Sequence, residues 1–186
     1  MFIQTEQTPN PATLKFLPGQ TVMASGTADF RNPEQAVRSP IAKRLFEVDG
    51  IAGVFLGADF ITVTKTPDKE WYLLKPAVLG AIMEHFTTGE PMVLGEAGQS
   101  GVAAEAHEDE DEIVAQIKEL LDTRVRPAVA QDGGDIIFQG FENGVVYLHM
   151  QGSCSGCPSS TATLKAGIEN MLRHYIPEVT EVRAVL

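Results

Sequence analysis

One glycine-rich segment near the middle of the chain limits what this sequence can fold into. Residues 88–107 contain four glycines and one proline and show no sustained hydrophobic periodicity, which predicts a connecting segment rather than a helix or strand. The 186 residues therefore divide into two small domains, each able to hold a modest core. We expect an N-terminal domain over residues 1–88, a flexible linker over residues 89–107 and a C-terminal domain over residues 108–186.

The N-terminal segment is predicted to form an α+β domain with a small, mainly antiparallel sheet. One helix is predicted to begin at Pro40 and to stop at Gly50, since proline suits the first helical position. A second amphipathic helix is predicted to have Pro76 close to its start and to end near Gly89. Alternating apolar residues between turn signals predict four strands, at residues 2–8, 13–17, 54–56 and 60–64.

The C-terminal segment is predicted to begin with an amphipathic helix. Apolar residues recur at helical spacing after residue 112, and Pro127 with the turn Asp132-Gly133-Gly134-Asp135 is predicted to end that helix. The acidic run over residues 108–112 suits a helix N-terminus, where the dipole favours negative charge, better than a metal site.

A hairpin, a helix and a strand are predicted to complete this second domain. Asn143-Gly144 between two apolar runs, residues 136–141 and 145–150, is a strong signal for a type I′ hairpin. A helix is predicted to begin at Pro158, and a last strand covers residues 179–185. The resulting order is α-β-β-α-β, so the whole chain is predicted to be α+β with two small domains.

Composition excludes several broad classes of protein. The net charge of −11, with −4 in residues 1–107 and −7 in residues 108–186, argues against nucleic acid as the main partner, because phosphate binding needs a basic surface. No apolar stretch approaches the roughly 20 residues of a membrane helix. Two cysteines in one loop cannot join distant parts of a fold, which favours a reducing compartment. We expect a cytoplasmic protein, or a mature form from which a leader has been removed.

Both cysteines of the chain lie in a single loop, Gly152-Ser153-Cys154-Ser155-Gly156-Cys157-Pro158-Ser159-Ser160. The C-x-x-C spacing brings two sulfurs close enough to hold one metal centre or to form one disulfide. The loop connects the end of a predicted strand to the start of a predicted helix, where free N–H groups favour a thiolate, most strongly at Cys157. Two thiolates are half of the ligands that an iron–sulfur cluster or a closed zinc site usually takes.

Three interpretations of this loop remain open on the residues alone. Two chains can each supply Cys154 and Cys157 to a shared cluster or zinc ion, or one chain can exchange dithiol for disulfide. Incidental cysteines are the third interpretation. Against dithiol exchange, the usual aromatic before the first cysteine and proline between the two are replaced by Ser153 and Ser155-Gly156. His149 could approach a metal, but a surface role is the simpler interpretation.

Two long motifs resemble a known family. The C-terminal motifs Asp132-Gly133-Gly134-Asp135, the cysteine loop and Leu164-Lys165-Ala166-Gly167-Ile168-Glu169 are similar to the C-terminal domain of NifU-like (Nfu) iron–sulfur cluster proteins. The N-terminal stretch Thr8-Pro9-Asn10-Pro11-Ala12-Thr13-Leu14-Lys15-Phe16-Leu17-Pro18-Gly19 resembles the N-terminal Nfu domain of bacterial and mitochondrial members. The resemblance covers nearly all of the chain outside the predicted linker.

The resemblance implies a cluster carrier or scaffold rather than an enzyme. It implies a 4Fe–4S cluster bound between two subunits, with Cys154 and Cys157 at the family's ligand positions, and delivery of that cluster to apo iron–sulfur proteins. An upstream scaffold or A-type carrier would donate the cluster, and the chain would form a homodimer through it. No mitochondrial leader is visible in the sequence, so we expect the bacterial cytosol, or the mitochondrial matrix if a leader has been removed. A thiol–disulfide oxidoreductase is the alternative function.

Overall fold

The structure is a computed structural model, which describes residues 2–24, 26–94, 112–154 and 158–185, with backbone alone for residues 158–160. The chain divides into two compact units, residues 1–100 and residues 101–186. Each unit combines helices with its own sheet, which confirms the predicted α+β class. Most of the predicted linker and of the acidic run lies outside the described residues.

The N-terminal unit is built on a five-stranded antiparallel sheet. The strands follow the order β1-β2-β5-β4-β3, which places β1 and β3 at the two edges. Strand β3 was not predicted, because three residues are too short to show an alternating pattern. The strands are β1 (Gln4–Gln7), β2 (Thr13–Leu17), β3 (Ala28–Phe30), β4 (Ile51–Leu56) and β5 (Ile61–Lys65).

Two α-helices, preceded by a short 3₁₀ turn over Gln35–Arg38, complete this unit. Helix α1 (Pro40–Phe46) begins as predicted, and the Ser39 side chain caps it by accepting a hydrogen bond from the Ala42 N–H. Helix α2 (Trp71–Thr88) ends at Gly89, whose φ of 69° is the left-handed cap that glycine favours. The helices pack with the sheet residues in one apolar core.

The expected start of α2 near Pro76 is wrong. The helix begins at Trp71, and Pro76 lies inside it. Proline removes one backbone hydrogen bond from a helix, but the turn before it holds Leu74, which is 4% exposed in the core. Burial of an apolar side chain of this size offsets the loss of about one hydrogen bond.

The C-terminal unit begins with a helical segment that continues past Pro127. Helix α3 (Glu112–Leu120) leads through a π turn (Leu121–Val125) into α4 (Arg126–Gln131). Pro127 therefore does not end the helical segment, which stops directly before the predicted turn at residues 132–135. The π turn restarts the hydrogen-bond pattern and places proline in the first turn of α4, where a missing N–H costs least.

A three-stranded sheet follows, in the order β6-β7-β8. Strands β6 (Gly134–Glu142) and β7 (Val145–Gly152) form the predicted hairpin, with positive φ angles of 51° at Asn143 and 80° at Gly144. Helix α5 (Pro158–Tyr175) then crosses to β8 (Glu181–Val185), which pairs parallel to β7. The order α-β-β-α-β agrees with the prediction, and the cysteine loop is the connection from β7 to α5.

None of the described helices is both long and apolar enough to cross a membrane.

Candidate functional site

The first cysteine of the loop lies just beyond the end of β7. The chain turns at Gly152, where φ is 63°. Ser153 then forms hydrogen bonds with the turn at residues 132–135. The Ser153 N–H donates to the Gly133 carbonyl oxygen at 3.2 Å, and the Ser153 hydroxyl donates to the Asp132 carbonyl oxygen. The turn at residues 132–135 therefore positions the backbone that carries Cys154.

The Cys154 side chain is packed into the C-terminal core and is only 6% exposed. A Cβ atom added to Gly134 would lie 2.6 Å from Cys154 Sγ and 2.8 Å from the Gln151 carbonyl oxygen, closer than real contacts allow. Glycine at position 134 therefore makes the space for the sulfur. The Thr161 hydroxyl donates to the Cys154 carbonyl oxygen at 3.0 Å, which ties the same residue to α5.

The environment of Cys154 favours the neutral thiol. Burial raises the pKa of the Cys154 thiol to about 11, the Ser153 hydrogen bond opposes this, and the negative charges of Asp132 and Asp135 add to the rise. The sequence predicted that a helix N-terminus would favour a thiolate in this loop. At Cys154 desolvation outweighs that effect, whereas Cys157, the second predicted ligand, lies outside the described residues.

The second acidic residue of the turn at residues 132–135 is held by an arginine. Arg126 Nε and Nη2 each donate to one carboxylate oxygen of Asp135, both at 2.9 Å, and Arg126 Nη1 donates to Asp122 at 3.1 Å. The Asp135 side chain is 5% exposed and also accepts from the Ile136 N–H at 2.8 Å. The ion pair raises the pKa of Arg126, chiefly through the Asp135 hydrogen bond.

The turn at residues 132–135 thus has a structural role, since the Asp135 carboxylate is held by Arg126 and by the Ile136 N–H. Sequence reasoning missed Arg126, since nothing in the pattern of the first helix marked it as the partner of a carboxylate in the following turn. The Arg126–Asp135 ion pair is bidentate, a geometry that an arginine side chain can provide and a lysine side chain cannot.

The only other metal-ligand candidate named from the sequence, His149, lies on β7. Its Nδ1 is 3.2 Å from the Val185 carbonyl oxygen at the end of β8. Across the described residues, no group of three or more His, Cys, Asp or Glu side chains is arranged to hold a metal ion. The described part of the site therefore offers one thiol, that of Cys154, and Cys157 follows three residues later in the sequence.

Comparison with known proteins identifies both halves of the chain. Residues 3–89 match the family described as scaffold protein Nfu/NifU N terminal, and residues 117–183 match the NifU-like domain. The human protein named NFU1 iron-sulfur cluster scaffold homolog, mitochondrial, is 54% identical over 100% of this chain and 72% of its own length. NifU-like protein 5, mitochondrial, of Arabidopsis thaliana is 53% identical over 98% of this chain and 67% of its own length.

A third relative extends the likeness to insects. The protein of Drosophila sechellia named NFU1 iron-sulfur cluster scaffold homolog, mitochondrial, is 58% identical over 100% of this chain and 65% of its own length. The two family matches fall in the two compact units, and the cysteine loop lies within the second match. This chain therefore belongs to the NifU-like (Nfu) family, with an N-terminal Nfu domain followed by a NifU-like domain.

Proposed function

We propose that this chain is an iron–sulfur cluster scaffold and carrier, not an enzyme, and that Cys154 and Cys157 are its cluster ligands. The observation that carries the proposal is the position of Cys154 at the β7–α5 turn of a NifU-like domain. The printed names of relatives at 53–58% identity describe iron–sulfur cluster scaffolds or NifU-like proteins. Thiolates are the usual ligands of such clusters.

The ligand count supports a cluster shared between two chains. Each chain supplies two cysteines, whereas a 4Fe–4S cluster takes about four thiolates. Two copies of the loop related by a two-fold axis would complete the set. We propose a 4Fe–4S cluster that bridges a homodimer through Cys154 and Cys157 of each chain.

Cluster uptake requires a local change at Cys154. Its sulfur is buried against Gly134 and burial raises the pKa of its thiol, whereas a ligand must be accessible and deprotonated. The Cys154 side chain must therefore turn outward and lose its proton as the cluster binds. A cluster held by Cys154 and Cys157 of two chains would be released when the thiolates of a client replace these ligands.

A cluster carrier needs a protein that donates the cluster and a protein that receives it. We propose that an upstream scaffold or A-type carrier donates the cluster, that apo iron–sulfur proteins receive it, and that the N-terminal domain recognises or supports these exchanges. The relatives are named mitochondrial, which supports the mitochondrial matrix as the compartment rather than the bacterial cytoplasm expected from the sequence.

The decisive experiment counts iron and sulfide per chain after anaerobic reconstitution and determines the mass of the product. We expect one cluster for two chains, a dimer when loaded and a monomer when unloaded. Cys154→Ser and Cys157→Ser should each abolish both the colour and the dimer. Met83→Ser, which removes an exposed sulfur in the other unit, is the matched control and should retain both. A stable cluster on a monomeric chain without added thiol would refute the bridging model.

Delivery is tested by mixing loaded protein with an apo-enzyme that needs a 4Fe–4S cluster, in the presence of a chelator that captures free iron. Direct transfer predicts activation that the chelator does not prevent. Activation that stops with the chelator would show that the cluster is shed into solution. A colourless protein that reduces insulin disulfides would instead support the thiol–disulfide oxidoreductase.

A further inference from the structure

The N-terminal unit has a cleft of about 500 Å³ beside the first strand of its sheet. Its walls include Thr5 and Gln7 of β1, the turn over residues 8–11, and Trp71 and Lys75 at the start of α2. A volume of this size is typical of sites that bind a ligand or a few side chains of a peptide. The cleft lies in a unit that has no cysteine and is separate from the candidate cluster site.

Strand β1 gives the cleft an open backbone edge. Among the described strands β1 pairs only with β2, so the backbone groups on its outer side have no strand partner. Three of its four residues, Gln4, Glu6 and Gln7, are exposed. An edge of this kind is a template for an extended peptide, which adds a strand through main-chain hydrogen bonds and directs every second side chain inward.

One wall of the cleft is the Trp71 ring, which two contacts hold in place. Trp71 Nε1 donates to the Pro11 carbonyl oxygen at 3.2 Å, and the Trp71 ring meets the Phe16 ring edge-on, with centroids 6.4 Å apart. A ring held at two points is a rigid surface for an apolar side chain, which limits the entropy lost on binding. The next two residues of α2, Tyr72 and Leu73, are 74% and 61% exposed.

Charge identifies the chemistry of the occupant. Lys75 is the one charged residue among those that line the cleft, and it makes no ion pair with the described residues. The other lining groups are hydroxyls, an amide and apolar rings, which supply no second charge. A single ammonium group among uncharged lining groups is matched by one carboxylate.

We propose that this cleft binds an extended segment of a client protein, which adds to the edge of β1, places an apolar side chain on Trp71 and directs an Asp or Glu side chain to Lys75. The proposal rests on the proposed function in one respect, that the segment belongs to a protein that receives the cluster. Binding itself needs no cluster, so the two proposals can fail separately.

The test uses a displayed library of random heptapeptides selected against the full-length, cluster-free protein. We expect the selected peptides to share one acidic residue within an alternating apolar pattern, to change the fluorescence of Trp71, the only tryptophan, and to slow amide exchange in Gln4–Gln7. Lys75→Glu should weaken their binding by about tenfold. Lys43→Glu, which makes the same charge change on α1 outside the cleft, should change it less than about twofold.

Several results would overturn the proposal. These are equal losses in the two lysine variants, selected peptides without an acidic residue, and peptides that bind as helices and leave the β1 amides unprotected. Loaded Lys75→Glu protein should keep its iron and sulfide content but activate the client more slowly. Normal transfer by that variant would refute the docking role alone, whereas failure of the wild-type protein to hold a cluster would refute the proposed function and leave the peptide result standing.

Discussion

Gly134 and Cys154 are in direct contact across the hairpin, with the sulfur of one residue occupying the space that a side chain on the other would fill. A Cβ atom at position 134 would lie 2.6 Å from Cys154 Sγ and 3.2 Å from the Cys154 backbone nitrogen. The first residue of β6 therefore determines where the proposed cluster ligand rests before the cluster binds.

Gly134→Ala should displace the Cys154 thiol and destabilise the C-terminal domain. The added methyl group meets backbone atoms as well as the sulfur, so overpacking should cost about 1–3 kcal/mol in the free energy of unfolding. Urea unfolding gives the stability, and iron and sulfide per chain give the cluster loading, which should fall. Gly140→Ala in the same strand has nothing within 4 Å of its new Cβ and should change neither quantity appreciably. Equal effects of the two variants would show that the contact is unimportant.

The thiol of Cys154 should react slowly with iodoacetamide in the unloaded protein. Burial raises the pKa of the Cys154 thiol to about 11, so little thiolate is present at pH 7. The alkylation rate should therefore continue to rise with pH well above pH 7, towards the pKa of the thiol. Alkylation is followed by mass spectrometry in Cys157→Ser protein, which leaves Cys154 as the single thiol. The same protein in urea is the control and should react like an ordinary cysteine. Equally fast alkylation of the folded chain would contradict the buried position.

Arg126→Met should destabilise the C-terminal domain by about 2–3 kcal/mol, because it leaves the Asp135 carboxylate buried without its bidentate partner. The loss is smaller than for a fully buried pair, because the Arg126 side chain is 38% exposed. The double variant Arg126→Met/Asp135→Leu should be more stable than Arg126→Met. Arg173→Met, which breaks an exposed pair with Glu169 at 3.9 Å, is the control and should cost less than about 1 kcal/mol. If the losses of stability in Arg126→Met and in Asp135→Leu simply add in the double variant, the pairing of the two residues is contradicted.

His85 should make the N-terminal domain sensitive to acid. It is 0% exposed, and neither ring nitrogen makes a hydrogen bond within the described part of the chain. Burial lowers the pKa of His85, the positive charge of Arg44 lowers it further, and Glu90 opposes this. The unfolded chain therefore binds a proton at His85 more readily than the folded domain does. The stability that neutral His85 contributes is present above about pH 6.5 and is lost as the pH falls through the pKa of His85 in the folded domain.

Trp71 fluorescence reports the unfolding of this domain in the full chain. The melting temperature can therefore be followed from about pH 8 to about pH 5, the range in which histidine side chains change charge. His85→Leu should flatten the decline below pH 6.5, the ordinary histidine value. His174→Leu, in the other unit, should leave the pH dependence of the Trp71 transition as it is in the wild type. An unchanged decline in His85→Leu would assign the acid sensitivity to other groups.

A fragment of residues 1–94 should be more stable than a fragment of residues 1–88, and both should fold without iron. The extra residues contact the start of α1: the Ser39 hydroxyl donates to the Met92 carbonyl oxygen, and the Leu94 N–H donates to the Arg38 carbonyl oxygen at 2.6 Å. Two such hydrogen bonds are worth about 1–3 kcal/mol. Urea unfolding followed by Trp71 fluorescence measures the difference. Disorder of the longer fragment by NMR would contradict an independent N-terminal domain.

Local signals in the sequence predicted most of the elements because their causes lie within a few residues. The hairpin at Asn143-Gly144 follows from the positive φ angles that these residue types tolerate, and the start of α1 follows from the Ser39 cap and Pro40. Pro76 and Pro127 were misread, because burial in the core and a π turn compensate for the hydrogen bonds that proline removes. Those compensations depend on packing that no local pattern shows.

The sequence by itself determined the two-part α+β organisation and the pairing of Cys154 with Cys157 in one loop between a strand and a helix, because spacing and turn chemistry are local properties of the chain. Only the tertiary structure decided the environment of Cys154, which is buried against Gly134, so that desolvation raises the pKa of its thiol. It also decided that Arg126 neutralises Asp135. Desolvation and ion pairing depend on residues brought together by folding, so neither can be read from the order of residues alone.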